Sequence, residues 1–231
     1  MDERRVFLIT GGSSGLGAAV ARRAADAGWA LVLAGRDTAR LEAVAGGLPA
    51  EVPVLVRACD VREWDQVSAL AGAAVGRFGR IDAVFANAGF GIGRGFTAST
   101  PEEWRSMVLT NVYGAAITVR ATYAEIARRG GHVLLTGSVA GRKALPGSLY
   151  SATKWAVAAM AESLRQELHG TGARVTLVEP GVVDTPFYDA GAPIEPPLTA
   201  DDVARAVMFA LQQPPHVDVN EILMRPTAQG E

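Results

Sequence analysis

The sequence predicts a doubly wound α/β protein, with seven parallel strands in one sheet and helices on both faces. Three observations predict it. Short apolar runs alternate with longer amphipathic stretches along the 231 residues, the pattern of successive βαβ units. The apolar runs are continuous rather than alternating with polar residues, as strands covered on both faces read. The first run leads straight into a glycine-rich turn and then a helical stretch, the arrangement that opens a dinucleotide-binding unit.

In chain order, the strand candidates are "RVFLIT" (5–10), "ALVLAG" (30–35), "VPVLVRA" (52–58), "DAVFAN" (82–87), "HVLLTG" (132–137), "RVTLVEP" (174–180) and "VNEILM" (219–224). Helical patterns fill 15–28, 38–47, 63–78, 101–129, 150–169 and 200–213. The stretch 101–129 is long enough for two helices or one bent one. Ser99 or Thr100 before "PEEW" offers an N-cap with proline in the first turn, and Thr199 before "ADDVARAV" offers another. The Pro- and Gly-rich segment 182–199 follows a strand end and is expected to be a lid over a binding site. No repeat or linker divides the chain, so residues 1–231 are expected to form a single dinucleotide-binding and catalytic domain.

Composition excludes several classes. A net charge of −2, with 22 basic residues among 24 acids, offers no basic stripe for nucleic acid or an anionic membrane. No apolar run reaches the length of a membrane span. The N-terminal "MDERRVFLIT" reads as a first strand, not a leader. Cys59 is the single cysteine, expected as a small buried core residue. A cytoplasmic location in a reducing compartment is the expectation. His132, His169 and His216 lie far apart in the sequence, so no metal site is expected.

The turn "TGGSSGLG" (10–17) places Gly11, Gly12, Gly15 and Gly17 between the first strand and first helix. Glycine permits a tight turn and close backbone approach, and the helix N-terminus behind it attracts pyrophosphate. A Rossmann-like sheet follows from this placement. The second strand ends "LAGRD". Gly35 stands where an acid would receive the ribose 2′-hydroxyl of NAD, and Arg36 follows. A guanidinium suits a 2′-phosphate, so NADP(H) is preferred, with NAD(H) possible. Asp60, at the end of the third strand, is placed to accept from the adenine amino group or to cap the next helix. Asn87, Ala88 and Gly89 end the fourth strand as a small, flat surface against a cofactor.

The only lysines are Lys143 and Lys154; the other 20 basic residues are arginine. Lys154 lies four residues after Tyr150, on the same helix face. A nearby ammonium is expected to lower the phenol's pKa, making Tyr150 an acid/base near neutral pH. Ser138, at the end of the fifth strand, is placed to hydrogen-bond the same substrate oxygen. Asn111, within the long helical stretch, is expected to kink it or hold a water. Arg94, in the loop "GFGIGRGF" (89–96) at the rim of the substrate site, reads as a solvated arginine.

Together, "TGGSSGLG", "NAG" (87–89), Asn111, Ser138, "YSATK" (150–154) and "PGVVDT" (180–185) resemble the short-chain dehydrogenase/reductase family over residues 5 to about 224. The resemblance implies a tetrad of Asn111, Ser138, Tyr150 and Lys154, with Lys154 also binding the nicotinamide ribose. It implies that Ser13, Leu16, Asp60, Val61 and Asn87 line the cofactor channel alongside Gly11, Ser14, Gly15 and Gly17. Pro180 and Gly181 would shape the nicotinamide site, and Val183 and Thr185 would bind the carboxamide. Ser138 and Tyr150 stand twelve apart where the family more often shows thirteen, which bears on the shape of the substrate pocket.

The expected activity is hydride transfer between NADP(H) and a small-to-medium carbonyl or alcohol substrate, with Tyr150 as acid/base. The alternative is a catalytically silent dinucleotide-binding sensor or scaffold, which has no need to keep all four members of the tetrad. The resemblance also implies a homo-tetramer or homo-dimer packed through the helices near 101–129 and 150–169, where Ala156, Ala158, Ala159 and Ala161 would allow close approach.

Overall fold

In the computed structural model, residues 4–188 and 191–230 are described. Asp189, in the expected lid, lies outside them. Seven strands form one sheet: β1 (Val6–Thr10), β2 (Ala30–Gly35), β3 (Val54–Ala58), β4 (Ala83–Ala86), β5 (His132–Thr136), β6 (Arg174–Pro180) and β9 (Glu221–Met224). Their order is β3-β2-β1-β4-β5-β6-β9, and every pairing is parallel. The chain starts in the middle, winds outward to β3, and returns to β4 beside β1. That reversal opens a crevice at the carboxyl ends of β1 and β4, where such sheets bind ligands.

The helices are α1 (Gly15–Asp26), α2 (Thr38–Gly46), α3 (Trp64–Phe78), α4 (Pro101–Val108), α5 (Gly114–Arg129), α6 (Leu149–Glu167) and α7 (Ala200–Gln212). Side chains of a strand alternate between faces, and each face has its own core. Phe7, Ile9, Leu31 and Leu33 pack with Val20, Ala24, Val203 and Val207 of α1 and α7. Val6, Leu8, Val32 and Val84 pack with Leu70, Ile117, Val157 and Leu164 of α3, α5 and α6. This two-sided burial is why the inner strands read as unbroken apolar runs, whereas the edge strands β3 and β9 are only half-buried or exposed, which the apolar pattern did not show. No helix among the described residues is long and apolar enough to cross a membrane, and no cluster of three or more metal-ligating side chains occurs among them.

The boundaries differ from the sequence expectation at a few places. β3 begins at Val54 and β9 at Glu221, later than the apolar pattern alone implies. The long stretch 101–129 is two α-helices joined by a π-helical turn, Leu109–Tyr113, which contains Asn111. Thr100 caps α4, with Glu103 completing a capping box; Thr199 and Asp202 do the same for α7. Within 182–199, β7 (Val183–Asp184) and β8 (Leu198–Thr199) pair in parallel and close the base of a loop.

At the opposite end of the sheet from the crevice, His132 begins β5 and is buried. The Thr176 hydroxyl donates to the Val219 carbonyl at 2.6 Å, so its oxygen accepts from His132 Nε2 at 2.7 Å. His132 Nδ1 is then a buried lone pair with no partner among the described residues. Burial, with Arg174 nearby, pushes the imidazole pKa down to about 3. The unfolded chain takes up this proton near pH 6.5 and the folded chain does not. Stability is therefore full above pH 6.5 and falls as pH drops toward 3, by about 1.4 kcal/mol per unit. Denaturant unfolding at pH 7.5 and 5.5 is expected to show the wild type losing roughly 1.4 kcal/mol more than H132Q. Equal losses in the two proteins would refute it.

Candidate active site

The turn after β1 is built around glycine by necessity. Gly11 has φ of +66° and Gly15 of +50°, the left-handed region that favours glycine. At Gly17 a β-carbon would lie 2.2 Å from the Gly11 carbonyl oxygen. The turn is pinned to β2 by Gly12 N–H donating to Ala34 O at 3.0 Å. Ser14 is the N-cap of α1 yet its side chain caps nothing, and the first turn of α1 has no acid. The free N–H groups and the helix dipole therefore face the crevice uncompensated, which fits a pyrophosphate. Leu16 is half-buried against the α1/α2 core, and the Ser13 hydroxyl lies 3.5 Å from the β-position of Gly35.

Arg36 is exposed directly after β2. Asp37 caps α2, accepting from Arg40 N–H at 3.1 Å, so this carboxylate is committed to a helix end. Asp60 does not cap α3; Glu63 holds that position. Instead Asp60 accepts from Arg62 N–H at 3.0 Å and is gripped by its guanidinium at 2.5–3.0 Å. The Arg62 hydrogen bonds hold the carboxyl below the usual carboxylate range, with Arg36 adding to the effect. Val61 packs its side chain into the core, against the face of Gly114. Cys59 is buried and its thiol pushed up to about 11 by burial, the inert state expected of a core cysteine.

Asn87 is a knot rather than a flat wall. Its amide nitrogen donates to Thr10 O at 3.0 Å and Gly11 O at 3.4 Å, and its carbonyl oxygen accepts from Thr136 Oγ1 at 3.1 Å. Its backbone N–H donates to Thr10 Oγ1 at 3.0 Å. The ends of β1, β4 and β5 are thereby joined. Asn111, in the π-turn, is buried and holds the loop after β4: its Oδ1 accepts from Phe90 N–H at 3.0 Å and its Nδ2 donates to Phe90 O at 2.9 Å. The same Nδ2 donates to Thr153 Oγ1 on α6 at 3.2 Å. A β-carbon on Gly89 would lie 3.1 Å from Asn111 Oδ1 and 3.7 Å from Lys154 Nζ, so the glycine lets these two groups approach.

Ser138, Tyr150 and Lys154 come together at the carboxyl end of β5. Lys154 is buried, donates from Nζ to Thr136 O at 2.7 Å and lies 5.5 Å from the centre of the Tyr150 ring. Burial pushes its ammonium down to about 8. Tyr150 hydrogen-bonds Ser138, which lowers its pKa, but burial outweighs this and the net shift is upward. This corrects the expectation that Lys154 depresses the phenol. The ammonium is spent on a backbone carbonyl and sits beneath the ring, while removal from water disfavours phenolate. The twelve-residue spacing does not separate Ser138 from Tyr150. Between them lies a tight 3₁₀ turn at Val139–Gly141, with Ser138 accepting from Ala140 N–H at 3.1 Å.

After β6, Pro180 O accepts from Ser138 Oγ at 3.5 Å. Gly181 N–H donates to Met224 O at 2.8 Å, and Val182 N–H to Gln229 Oε1 at 2.9 Å. A β-carbon on Gly181 would lie 2.2 Å from that glutamine oxygen. Gln229 thus closes this edge, a role with no local sequence signal because it depends on the chain returning after β9. Val183 is buried, and Thr185 stands 3.5 Å from the β-position of Gly15, across from the glycine turn. Phe187 packs against Tyr150, its ring 5.6 Å from that of Tyr150 and 5.0 Å from that of Tyr188. A β-carbon on Gly91 would lie 2.6 Å from Phe187 Cζ, so the 89–96 loop and the 182–199 segment meet there. Arg94 is exposed on that loop. Of the alanines singled out on α6, Ala158 and Ala161 pack on the chain's own core.

Comparison with known proteins agrees with this geometry. Residues 5–192 match the model of the short chain dehydrogenase family. An uncharacterized oxidoreductase of Staphylococcus saprophyticus is 37% identical over 229 residues, covering 96% of this chain and 97% of that protein. The alcohol dehydrogenase of the archaeon Thermococcus sibiricus, solved with 5-hydroxy-NADP, superposes with a TM-score of 0.92 at 33% identity, covering 99% of each chain. The 3-ketoacyl-(acyl-carrier-protein) reductase of Brucella melitensis, solved with NADH, gives 0.87 at 29% identity over 96% of each chain. Matched by the family model over residues 5–192 and by a 37% identical relative over 96% of its length, this chain belongs to the short chain dehydrogenase family.

Proposed function

We propose that this protein is an oxidoreductase that exchanges a hydride between a nicotinamide dinucleotide and a small-to-medium carbonyl or alcohol substrate, with Tyr150 as acid/base. The observation that carries this reading is the convergence of Ser138, Tyr150 and Lys154 at one strand end, with Asn111 behind them. The dinucleotide supplies or accepts the hydride when bound. The chain's own residues do the rest. The N-terminus of α1 and Gly15 receive the pyrophosphate, and Thr185 and Val183 bound the nicotinamide end. Tyr150, kept protonated by burial, donates its proton to the substrate oxygen in the reducing direction. Ser138 hydrogen-bonds the same oxygen, and Lys154 holds the ribose. Asn111 sets the Gly89–Phe90 backbone and the start of α6 relative to one another.

NADP(H) is preferred in this reading. Gly35 offers no carboxylate, Asp37 is turned into the cap of α2, and Arg36 is free of that acid and exposed. The whole chain acts as one dinucleotide-binding and catalytic domain, and residues 182–199 serve as its lid, with Phe187 over Tyr150. A homo-dimer or homo-tetramer through α5 and α6 belongs to the same reading. Trp155 on α6 is half exposed there, and Tyr123 of α5 lines a shallow groove with Leu164 of α6.

Two experiments test the proposal. Y150F is expected to lower turnover by about a thousandfold while leaving the dinucleotide dissociation constant within a few fold; a variant that keeps most of its activity would remove Tyr150 from the mechanism. Steady-state kinetics with NADPH and NADH across a ketone panel are expected to favour NADPH, and R36A to reduce that preference by roughly tenfold. A wild type that prefers NADH would sink the assignment of Arg36.

A further inference from the structure

Arg142 and Glu179 form an ion pair at the edge of the reactive groups. Glu179 directly precedes Pro180 in β6 and is 0% exposed. Its carboxylate accepts from Arg142 Nε at 2.8 and 2.9 Å and from Nη2 at 2.6 Å. The same Nη2 lies 2.6 Å from Glu221 Oε1 on β9. Arg142 closes the 3₁₀ turn that begins after Ser138, so the guanidinium joins the turn carrying Ser138 to β6 and β9. The fit leaves no slack. Gly137 N–H donates to Val178 O at 2.7 Å, and a β-carbon on Gly137 would lie 2.7 Å from Glu179 Cγ.

Burial raises the Glu179 carboxyl against the pull of Arg142, while the bonds to Glu179 and Glu221 raise the less buried guanidinium, so desolvation of the carboxylate offsets part of the pair's attraction. Such a pair is a poor device for stability, since apolar side chains of similar volume serve as well or better. What it supplies is geometry: a planar fork fixes distance and angle in a way a lysine cannot.

We propose that the Arg142–Glu179 pair is a positioning device for the reaction, setting the distance between Ser138 on its turn and the Pro180–Gly181 end of β6. This rests on the reading of Ser138 and Tyr150 as the proton-handling pair. Neither Arg142 nor Glu179 handles the proton; they act through Ser138. A misplacement of about 1 Å costs on the order of a hundredfold in rate.

The test uses R142K and E179Q, which keep size and polarity but break the fork, and the double variant R142M/E179L, which replaces the pair by apolar volume. Each is expected to lower kcat by about tenfold or more, with the dinucleotide dissociation constant changed less than about threefold because the pyrophosphate cradle lies elsewhere. The double variant is expected to melt close to the wild type, which separates positioning from stability. Wild-type kcat in R142K, or in a folded R142M/E179L, overturns the proposal. A wild type that turns over no carbonyl or alcohol counts against the proposed function instead. The positioning claim is then read from crystal structures of R142K and E179Q, and a Ser138 Oγ displaced by less than about 0.5 Å in both overturns it.

Discussion

The side-chain amide of Asn87 is the interaction on which the site depends. It joins the ends of β1, β4 and β5 through Thr10, Gly11 and Thr136. Its nitrogen would lie 2.9 Å from a β-carbon at either Gly11 or Gly17, so the amide and the two glycines define one another's space. Thr136 then carries the effect across the crevice, because its carbonyl receives Lys154. A line of contacts therefore runs from the glycine turn to Lys154 and the Tyr150 beside it. An amide suits this place because it both donates and accepts; an aspartate would lose the bonds to the two carbonyls.

Burial sets the electrostatics at the other end of that line. Holding Lys154 charged inside the protein is unfavourable, and burial pushes its pKa down to about 8. Tyr150 is pushed the other way, toward the neutral phenol. The two shifts have one cause, removal of the charged form from water, and both lower the amount of charge in the site. The protonation of Tyr150 and Lys154 is thus set by their enclosure, with Phe187 against the Tyr150 ring, more than by attraction to each other. The constraint is paid for elsewhere in the fold by ordinary packing of the two cores on either face of the sheet.

The π-turn at Leu109–Tyr113 shows how a helix serves this arrangement. A regular helix over 101–129 would carry Asn111 on one continuous ladder. The widened turn puts the amide within reach of both backbone groups of Phe90 and of Thr153 on α6. Thr110 adds a bond from its hydroxyl to Ser106 O at 2.8 Å in the same bend. The asparagine expected to kink the helix or hold a water sits in a π-helical turn and couples the loop after β4 to the helix that bears Tyr150 and Lys154.

What the sequence by itself determined were the features with short-range physical signatures. Apolar runs marked the strands of the sheet, most cleanly the inner ones, because burial on both faces leaves no room for polar alternation; the edge strands β3 and β9 stay partly exposed. The glycine turn, the caps at Thr100 and Thr199, and the four-residue spacing of Tyr150 and Lys154 were legible because each is a local geometric demand. What only the tertiary structure decided were the long-range partners. Asn87 as a knot, Asp60 held by Arg62, Gln229 over Gly181, and the fork of Arg142 on Glu179 and Glu221 all depend on which strand ends lie side by side. So does the upward shift of Tyr150, since burial is a property of the assembled fold and no spacing along the chain encodes it.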